Sequence, residues 1–564
     1  MNAADLLHHY ARISEAPDAI PKLRSFVLDL AVRGKLVEQN NTDESQAQIL
    51  NRAQRKLQEI ASRTERLRWK NTSIVSAADC EKPIPEGWIK ARVNDTGLYV
   101  NGLAFKPSDW KSEGTPIIRI QNLTNPSKEF NYVQGEFPES VMVRAGDLLV
   151  SWSATLEAFK WTRQAGVLNQ HIFRVIPHPA LADHDFLLLL LKNAIREMAE
   201  SDHAHGLVMT HINRGPFLNH VVLIPPIAEQ RRIVAKVDEL MALCDRLEEA
   251  RSAREGVRDK LTATSLARLT APETTEQDFQ SHARFALQTL PALTTRPDQI
   301  KPFRQTILNL AVRGKLVEQD PAEGSGIELM ATVGSSRNPL NRTRADCDLI
   351  DFAMPEGWDI QSLDAITQDG PKNGLSPTKT ENQSAPKAIT LTATTSGQFN
   401  GQHFKRVDVS LEAAEPFWLQ PNDLLFQRGN TPEYVGMAAI YDGPEKEFIY
   451  PDLIMRVRIA PEMNLRFVHL WCISPVGRNY LTANATGAQK TMPKINQGVL
   501  KALPIMVPPL AEQHRIVVRV DALMALCDRL ETALNTADTS RTRLLEALLH
   551  EALAPDAASM EAAE

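Results

Sequence analysis

The chain has 564 residues, of which 43% are hydrophobic, and a formal net charge of −6. This length predicts several domains, and the acidic balance excludes a chain-wide basic surface for nucleic acid, so such contacts must come from local patches. The chain has no apolar run long enough to predict a membrane span. Its first twenty residues do not predict a secretory signal. Five scattered cysteines argue against a disulfide framework and indicate a reducing, cytoplasmic setting.

Three segments of the chain occur twice, in the same order. They are "KLRSFVLDLAVRGKLVEQN" (22–40) with "PFRQTILNLAVRGKLVEQD" (302–320), "IPEGW" (84–88) with "MPEGW" (354–358), and "PPIAEQRRIVAKVDELMALCDRLEEA" (225–250) with "PPLAEQHRIVVRVDALMALCDRLETA" (508–533). The order predicts a duplicated scaffold with pseudo-twofold symmetry, which suits a bipartite target such as DNA.

The first repeated segment predicts a helix that ends at a glycine. Gly34 and Gly314 stand where a left-handed C-terminal cap is expected, and a leucine follows two residues later. The identity of the unchanged residues predicts that the two copies contact each other, or that each copy contacts the same kind of partner surface. The alternative is that the identity only reflects a recent duplication. A polar helix (44–68) follows the first copy, and a loop-like stretch (321–341) follows the second.

The regions between these markers, 89–224 and 359–507, share little sequence. Each mixes short apolar runs with turns, and each predicts a helix near its end. The predicted strands are 115–123, 387–397, 221–224 and 503–507, the segments 146–154 and 422–430 resemble one another, and the predicted late helices are 185–201 and 464–481. Both inserts are therefore predicted to be variants of one α/β domain.

The segments after the two proline pairs predict long helices. Apolar residues recur at spacings of three and four, which is the pattern of a coiled-coil seam, and the alternative is an ordinary two-helix core. The predicted seam and partner-docking residues are Ile233, Val237, Leu240, Cys244, Leu247, Ile516, Val520, Leu523, Cys527 and Leu530.

Two windows late in the inserts lack acidic residues. No Asp or Glu occurs between Asp202 and Glu229, or between Glu462 and Glu512. Acid depletion beside amide and hydroxyl side chains favours a phosphate-contacting surface in an acidic protein, although loops without acids also arise by chance.

Signals for catalysis are weak. The chain has no GxxxxGK[ST] loop and no Asn/Asp-Pro-Pro-aromatic motif. His203, His205 and His211 have no counterpart in the second half, so we expect no metal site. Three hypotheses stay open at this point: a DNA-binding adaptor, an enzyme with unrecognised motifs, and a scaffold that binds only protein.

The order of PEGW, a variable domain, PP(I/L)AEQxRIV and a long "DxLMALCDRLE" helix, all present twice, resembles the specificity subunits of type I restriction–modification systems. The resemblance covers nearly the whole chain. It implies α/β (α+β) target-recognition domains in tandem, separated by long antiparallel coiled-coil helices. The implied divisions are an N-terminal helical region (1–83), recognition domain 1 (84–226), a central conserved helical region (227–353), recognition domain 2 (354–509) and a C-terminal conserved helix (510–564).

The resemblance also implies partners. Each recognition domain would read one half of a bipartite site in double-stranded DNA, and the helices would set the spacing and dock two methyltransferase (modification) subunits. S-adenosylmethionine would bind to the modification subunit, and ATP and Mg to a restriction/translocase subunit. This chain would hold no cofactor and no catalytic residue.

Candidate DNA contacts are polar residues in loops that flank the predicted strands. Arg pairs well with guanine, and Asn or Gln pairs with adenine. The candidates are Lys106, Arg119, Gln121, Asn122, His211, Asn213, Arg214, Lys372, Asn373, Thr392, Arg428, Asn430, Lys490, Thr491, Lys494 and Asn496.

Overall fold

A computed structural model describes residues 14–40, 47–63, 75, 84–153, 155–203, 214–271, 276–333, 350, 352–486 and 492–553. The chain forms two compact units: residues up to 252 together with those from 538 onward, and residues 253–537. The division assigns the end of the last helix to the first unit.

The first half of the chain contains six helices and ten strands among the described residues. The helices are α1 (Ala19–Val32), α2 (Ala47–Arg63), α3 (Ile120–Thr124), α4 (His184–His203), α5 (Arg214–Asn219) and α6 (Ile227–Leu269). The strands are β1 (Ile89–Arg92), β2 (Gly97–Asn101), β3 (Thr115–Ile118), β4 (Asn131–Val133), β5 (Met142–Val143), β6 (Leu148–Ser153), β7 (Thr155–Lys160), β8 (Gly166–Leu168), β9 (Ile172–Pro177) and β10 (Val221–Ile224).

The described second half continues the series. Its helices are α7 (Glu276–Leu293), α8 (Ile300–Val312), α9 (Gly326–Val333), α10 (Leu411–Ala414), α11 (Leu465–Ile473), α12 (Pro475–Ala483), α13 (Gln497–Lys501) and α14 (Leu510–Leu553). Its strands are β11 (Asp359–Ser362), β12 (Thr367–Asn373), β13 (Lys387–Ile389), β14 (Phe404–Arg406), β15 (Leu424–Gln427), β16 (Ala438–Ile440), β17 (Phe448–Ile449), β18 (Ile454–Ile459) and β19 (Pro504–Val507).

The two recognition domains share one topology. In the first, β2-β9-β6-β7 form an antiparallel sheet, β4-β3-β8-β5 form a mixed sheet, and β1 pairs with β10. In the second, the order is β12-β18-β15-β16 for the antiparallel sheet and β14-β13-β17 for the mixed sheet, and β11 pairs with β19. The prediction of two α/β domains in tandem is confirmed, whereas the antiparallel pairing of the long helices stays a prediction.

Two predicted strands are shorter than their apolar runs. The strand predicted at 115–123 ends at Ile118 and passes into α3, and the strand predicted at 387–397 ends at Ile389 before a 3₁₀ turn. In the first case the side chain of Asn122 accepts a hydrogen bond from the backbone N–H of Arg119 (3.1 Å), which closes a helical turn. Side chains that bond to nearby backbone compete with strand pairing in this way.

The helix predicted over 464–481 is wrong as one element, because it breaks between α11 and α12. Ser474 accepts a hydrogen bond from the N–H of Gly477 (3.2 Å), and Pro475 lacks the N–H that would continue the first helix.

The loop predicted at 321–341 is wrong over α9. The N–H of Glu328 donates to Ser325 Oγ (3.2 Å), and Glu328 Oε2 accepts from the Ser325 N–H (2.9 Å), which is a capping box. Among the described residues, the helix predicted after the first copy is confirmed as α2.

The repeated segment docks onto the PEGW motif in each unit. Gly34 and Gly314 have φ of +69° and +65°. A Cβ at Gly34 would approach Pro85 Cγ to 2.6 Å, and one at Gly314 would approach Pro355 Cγ to 2.8 Å. Both glycine caps are therefore confirmed, and the turn is fixed by close packing as well as by φ.

The helices of the repeated segment brace the long helices. Arg24 in α1 forms ion pairs with Asp245 and Glu248 in α6 (2.6 and 2.8 Å). The opposite side of α1 packs against the last turns of α14, where Phe26 and Leu545 lie in one buried cluster. The clamp formed by α1 therefore joins the early part of one long helix to the end of the other.

The second unit repeats the ion pairs from α8. Arg304 contacts Asp528 and Glu531 in α14 (2.7 Å each). Leu310 packs with Leu266 near the end of α6. Within the ten unchanged residues, the cap and the docking turn explain Gly34 and Gly314, and packing against α6 explains Leu310.

The long helices have 43 residues in α6 and 44 residues in α14. Their seam residues divide into two groups. Ile233, Val237, Ile516 and Val520 are at most 2% exposed and belong to the cores of their recognition domains. Leu247 and Leu530 are 38% and 41% exposed, so only the later part of each seam is open to a partner.

Candidate nucleic-acid interface

Three chain segments of the second domain meet at one edge of its antiparallel sheet. Asn373 ends β12, and Arg428 directly follows β15. The Arg428 N–H donates to the carbonyl of Leu453 (2.7 Å), and its own carbonyl accepts from the N–H of Ile495 (2.8 Å). Gln497 Nε2 donates to Asn373 Oδ1 (3.4 Å), so β12, β15 and the segment before α13 form one continuous surface.

This edge collects most of the second-half candidates. Those present are Lys372, Asn373, Arg428, Asn430, Lys494 and Asn496, whereas Lys490 and Thr491 lie outside the described residues. Lys494 is exposed and bridges to the backbone of Gly429. Asn496 caps α13 by accepting from the Val499 N–H (2.9 Å), so part of its hydrogen-bonding capacity is already used.

Thr392 lies on an open cavity of the second unit, with a volume of about 920 Å³. The walls include Lys301, Asn400, His403 and Arg478. Arg478 Nη1 donates to the Val435 carbonyl (2.6 Å), which holds this cation in the wall, although burial lowers the pKa of its guanidinium. Cations and amides in a concave wall suit the phosphates and edges of nucleic acid.

The carboxylates at the end of this sheet opposite Arg428 are paired with arginines. Asp423 is 1% exposed and accepts from Arg458 Nε (2.6 Å), and Asp369 accepts from Arg456 Nη2 (2.6 Å). Arg456 and Lys372 hold the pKa of Asp369 below its ordinary value against the opposing effect of burial, which is the largest single influence. These acids support the sheet through charge pairing and are poorly placed for acid–base chemistry.

Candidates in the first domain are more dispersed. Lys106 is exposed beside a 3₁₀ turn, and Gln121 lies in α3. Arg119 stacks over the ring of Trp110, 5.0 Å from its centroid. Asn122 is 2% exposed and donates to the carbonyls of Lys128 and Glu129, so the structure gives it a role within the turn.

Arg214 begins α5, and its Nη2 donates to the Tyr99 carbonyl on β2 (3.4 Å). Its guanidinium lies 5.8 Å from the ring centroid of Phe173, and desolvation lowers its pKa. His211 and Asn213 precede it in the chain and lie outside the described residues. The candidate surface in this domain is therefore anchored at the side of β2 and β9.

Sequence reasoning missed the first-domain counterpart of the Arg428 edge. The backbone N–H of Trp152, near the end of β6, donates to the carbonyl of His171 (3.3 Å). The backbone N–H of Arg428 donates to the carbonyl of Leu453 in the same way. The rings of Trp152 and His171 lie 5.1 Å apart, and Gln170 Nε2 contacts His171 Nε2 (3.2 Å). The similarity of 146–154 to 422–430 would have identified this edge.

Among the described residues no group of histidine, cysteine or acidic side chains could hold a metal ion. His469 is buried in the core of the second domain, where desolvation lowers its pKa to about 4. Cys472 is fully buried, which raises the pKa of its thiol. These groups lie in packed interiors, away from the strand-end surface.

A sequence profile of the type I restriction modification DNA specificity domain matches residues 85–254 and 355–537, which together make up more than half of the chain. The chain belongs to this family. The two matches coincide with the duplicated recognition domains and the early parts of the long helices.

Several relatives of this specificity-domain family align along nearly the whole chain. The Type I restriction enzyme EcoEI specificity subunit of Escherichia coli is 26% identical, covering 95% of this chain and 94% of its own. The EcoAI specificity subunit of the same species is 24% identical at the same coverage. A solved chain from a type I R-M system is 16% identical with a TM-score of 0.48, covering 84% of this chain and 99% of its own.

The specificity-domain repeats also duplicate an exposed apolar pair on each long helix. Leu243 and Leu247 on α6 are 39% and 38% exposed. Leu526 and Leu530 hold the same places in the second copy on α14 and are 50% and 41% exposed. None of the helices that the structure describes has the length and hydropathy of a membrane span. The exposed leucines lie at equivalent places in the two copies and are candidates for a contact surface.

Proposed function

We propose that this chain is the DNA sequence-specificity subunit of a type I restriction–modification complex. Each recognition domain would read one half of a bipartite site in double-stranded DNA. The observation that carries the proposal is one topology built twice with different side chains at the same strand-end edge, since a common frame with divergent edges is what reading two unlike half-sites requires.

We infer that the chain is non-catalytic and acts in the cytoplasm through its partners. The pairing of the sheet carboxylates Asp369 and Asp423 with arginines supports a non-catalytic role. Methyl transfer would belong to two modification subunits that hold S-adenosylmethionine, and cleavage to restriction/translocase subunits that use ATP and Mg.

The two modification subunits would dock on the exposed leucine pairs of α6 and α14. One equivalent pair in each copy offers two like surfaces to two like partners. The long helices would also set the spacing between half-sites. At about 1.5 Å per residue each helix spans roughly 65 Å, or about two turns of B-DNA.

The test is methylome sequencing of a host that expresses this chain with its modification subunit, beside a strain that lacks this chain. We expect a new methyladenine motif in two parts with a fixed unspecified gap. Replacing residues 359–507 with the corresponding segment of another family member should change only one part. An unchanged methylome, in cells where the two subunits co-purify, would overturn the proposal.

A further inference from the structure

The duplicated frame places Trp152 and Arg428 in equivalent positions. Each follows an Asp-Leu-Leu strand start by the same number of residues, and each donates its backbone N–H to the turn that precedes the next strand of the sheet. If the two recognition domains share a frame but read different bases, their differences should lie at positions that share a backbone environment and differ in side chain.

Around Trp152 the turn before β9 adds two side chains with hydrogen-bonding capacity to spare. Gln170 Nε2 lies 3.2 Å from His171 Nε2. An amide nitrogen only donates, so His171 Nε2 accepts and the proton of the neutral ring lies on Nδ1. Among the described residues, Trp152 Nε1, Gln170 Oε1 and His171 Nδ1 have no hydrogen-bond partner.

Buried polar atoms without partners are uncommon, and three of them at one strand end point to a ligand that supplies donors and acceptors. The Gln170 amide retains its Oε1 acceptor and a second N–H on Nε2. Adenine presents the complementary pair in the major groove, with N6–H as donor and N7 as acceptor.

We propose that Gln170 is a specificity-determining residue that reads an adenine in the half-site of the first domain, with His171 and Trp152 as positioning residues. This inference rests on the proposed function and deepens it. The Trp152 ring meets the His171 ring edge-on at 5.1 Å, and His171 in turn holds the Gln170 amide. In the second domain Arg428 occupies the place of Trp152, and its guanidinium matches guanine.

The test compares complexes of the full chain with its modification subunit, carrying Gln170→Ala, Gln170→Glu or no change. The first-domain half-site is the part of the motif that survives replacement of 359–507. Duplexes carrying each of the four bases in turn at its adenines are then measured for binding. We expect Gln170→Ala to reduce the preference for one adenine on the order of tenfold or more, with the other half-site unaffected.

Gln170→Glu should move the preference at that position toward cytosine, whose amino group donates to a carboxylate. The matched control is Gln164→Ala, because Gln164 is exposed and only its backbone carbonyl is used, as acceptor for Trp161 Nε1. Trp152→Phe keeps a ring against His171 but removes Nε1, and we expect a smaller loss of preference.

Equal loss of binding for all four bases would assign Gln170 a structural role and overturn the inference. Unchanged preferences in both Gln170 variants would overturn it as well. Failure of the proposed function is distinguishable, because the unaltered complex would then give no bipartite motif at all.

Discussion

The indole Nε1 of Trp358 donates to both carboxylate oxygens of Glu512, at 3.1 Å each, in the interior of the second unit. The same contact recurs in the first unit between Trp88 and Glu229 (3.0 Å). The PEGW motif and the AEQ motif are far apart in the sequence. In each unit the tryptophan of PEGW is the donor and the glutamate of AEQ is the acceptor of a buried hydrogen bond, which anchors the recognition domain to its long helix.

We expect Glu512→Leu to destabilise the second unit by about 1–3 kcal/mol, because the Trp358 N–H would be left buried without an acceptor. Urea denaturation, monitored by tryptophan fluorescence, would measure the change in the free energy of unfolding. The control is Glu249→Ala on the exposed side of α6, for which we expect a change within about 0.5 kcal/mol. Equal effects of the two substitutions would contradict the anchoring role.

Glu512 also predicts a pH dependence. Burial raises its pKa above the ordinary 4.5, despite the donors Trp358 and Gln319. A raised pKa means that the folded state binds the proton more tightly, so stability from this group is lost as the pH rises through the folded pKa. Glu512→Gln should therefore gain stability relative to the unaltered chain as the pH increases from about 4.5. A difference that stays constant with pH would refute this.

We expect Gly314→Ala to destabilise the second unit by roughly 1–3 kcal/mol. The residue has φ +65°, and a methyl group would meet Pro355 and Trp358. Gly256→Ala in α6 is the control, because its Cβ would meet nothing within 4 Å, and there we expect stabilisation of about 0.5–1 kcal/mol. Thermal or chemical unfolding of both variants would show the opposite signs, and matching signs would rule out the packing argument.

His469 predicts a loss of stability in mild acid. Its pKa is lowered to about 4 by burial and the neighbouring Arg466. The unfolded chain binds the proton first, so stability falls as the pH drops from about 6.5 toward 4, by up to about 3 kcal/mol. His469→Gln should flatten this dependence in urea titrations of the second unit between pH 7 and pH 5. An equally steep dependence in the variant would show that other groups cause it.

Lys494 is expected to contribute affinity without sequence preference. Substitution Lys494→Gln should weaken binding to all duplexes alike and reduce the slope of log affinity against log salt by about 1. Arg428→Ala should instead relax one base of the second half-site. Lys446→Gln serves as the control, because Lys446 lies in the turn after β16 and pairs with Glu415 (2.8 Å). A base-specific effect of Lys494→Gln would contradict the expectation that Lys494 contributes affinity without sequence preference.

The leucine pairs predict the stoichiometry of the complex. We expect Leu526→Asp with Leu530→Asp to reduce the number of bound modification subunits from two to one, as measured by light scattering of the purified complex. The equivalent change at Leu243 and Leu247 should remove the other copy. Leu411→Asp is the control, since this 67% exposed leucine lies on α10, away from the long helices. Retention of two subunits in both variants would place docking elsewhere.

Sequence repetition was sufficient to predict the duplicated domains, the glycine caps and the long helices. Apolar runs predicted the cores of strands and helices but not their ends, because Asn122 and Ser474 end regular structure through local hydrogen bonds to backbone. Periodicity predicted the seam, but it could not distinguish its buried residues from its exposed ones. Ile233 is buried in the domain core, whereas Leu247 is exposed.

The candidate site was only partly predictable. Residue type indicated Arg428 and Lys494, and the fold brings both to one edge. Trp152 and His171 were missed, because an aromatic ring in an apolar strand looks like core until the sheet places it at a strand end. The base contacts themselves stay predictions.

The clamp of α1 on the last turns of α14 has a consequence for synthesis on the ribosome. Residues 538–553 complete the first unit, although they are made after the whole of 253–537. Folding of the first unit therefore waits until translation has passed these residues, while residues 253–537 are already available to fold as the other unit. A message cut short before residue 538 would release a chain whose second recognition domain can be whole while its first unit still lacks the last turns of α14.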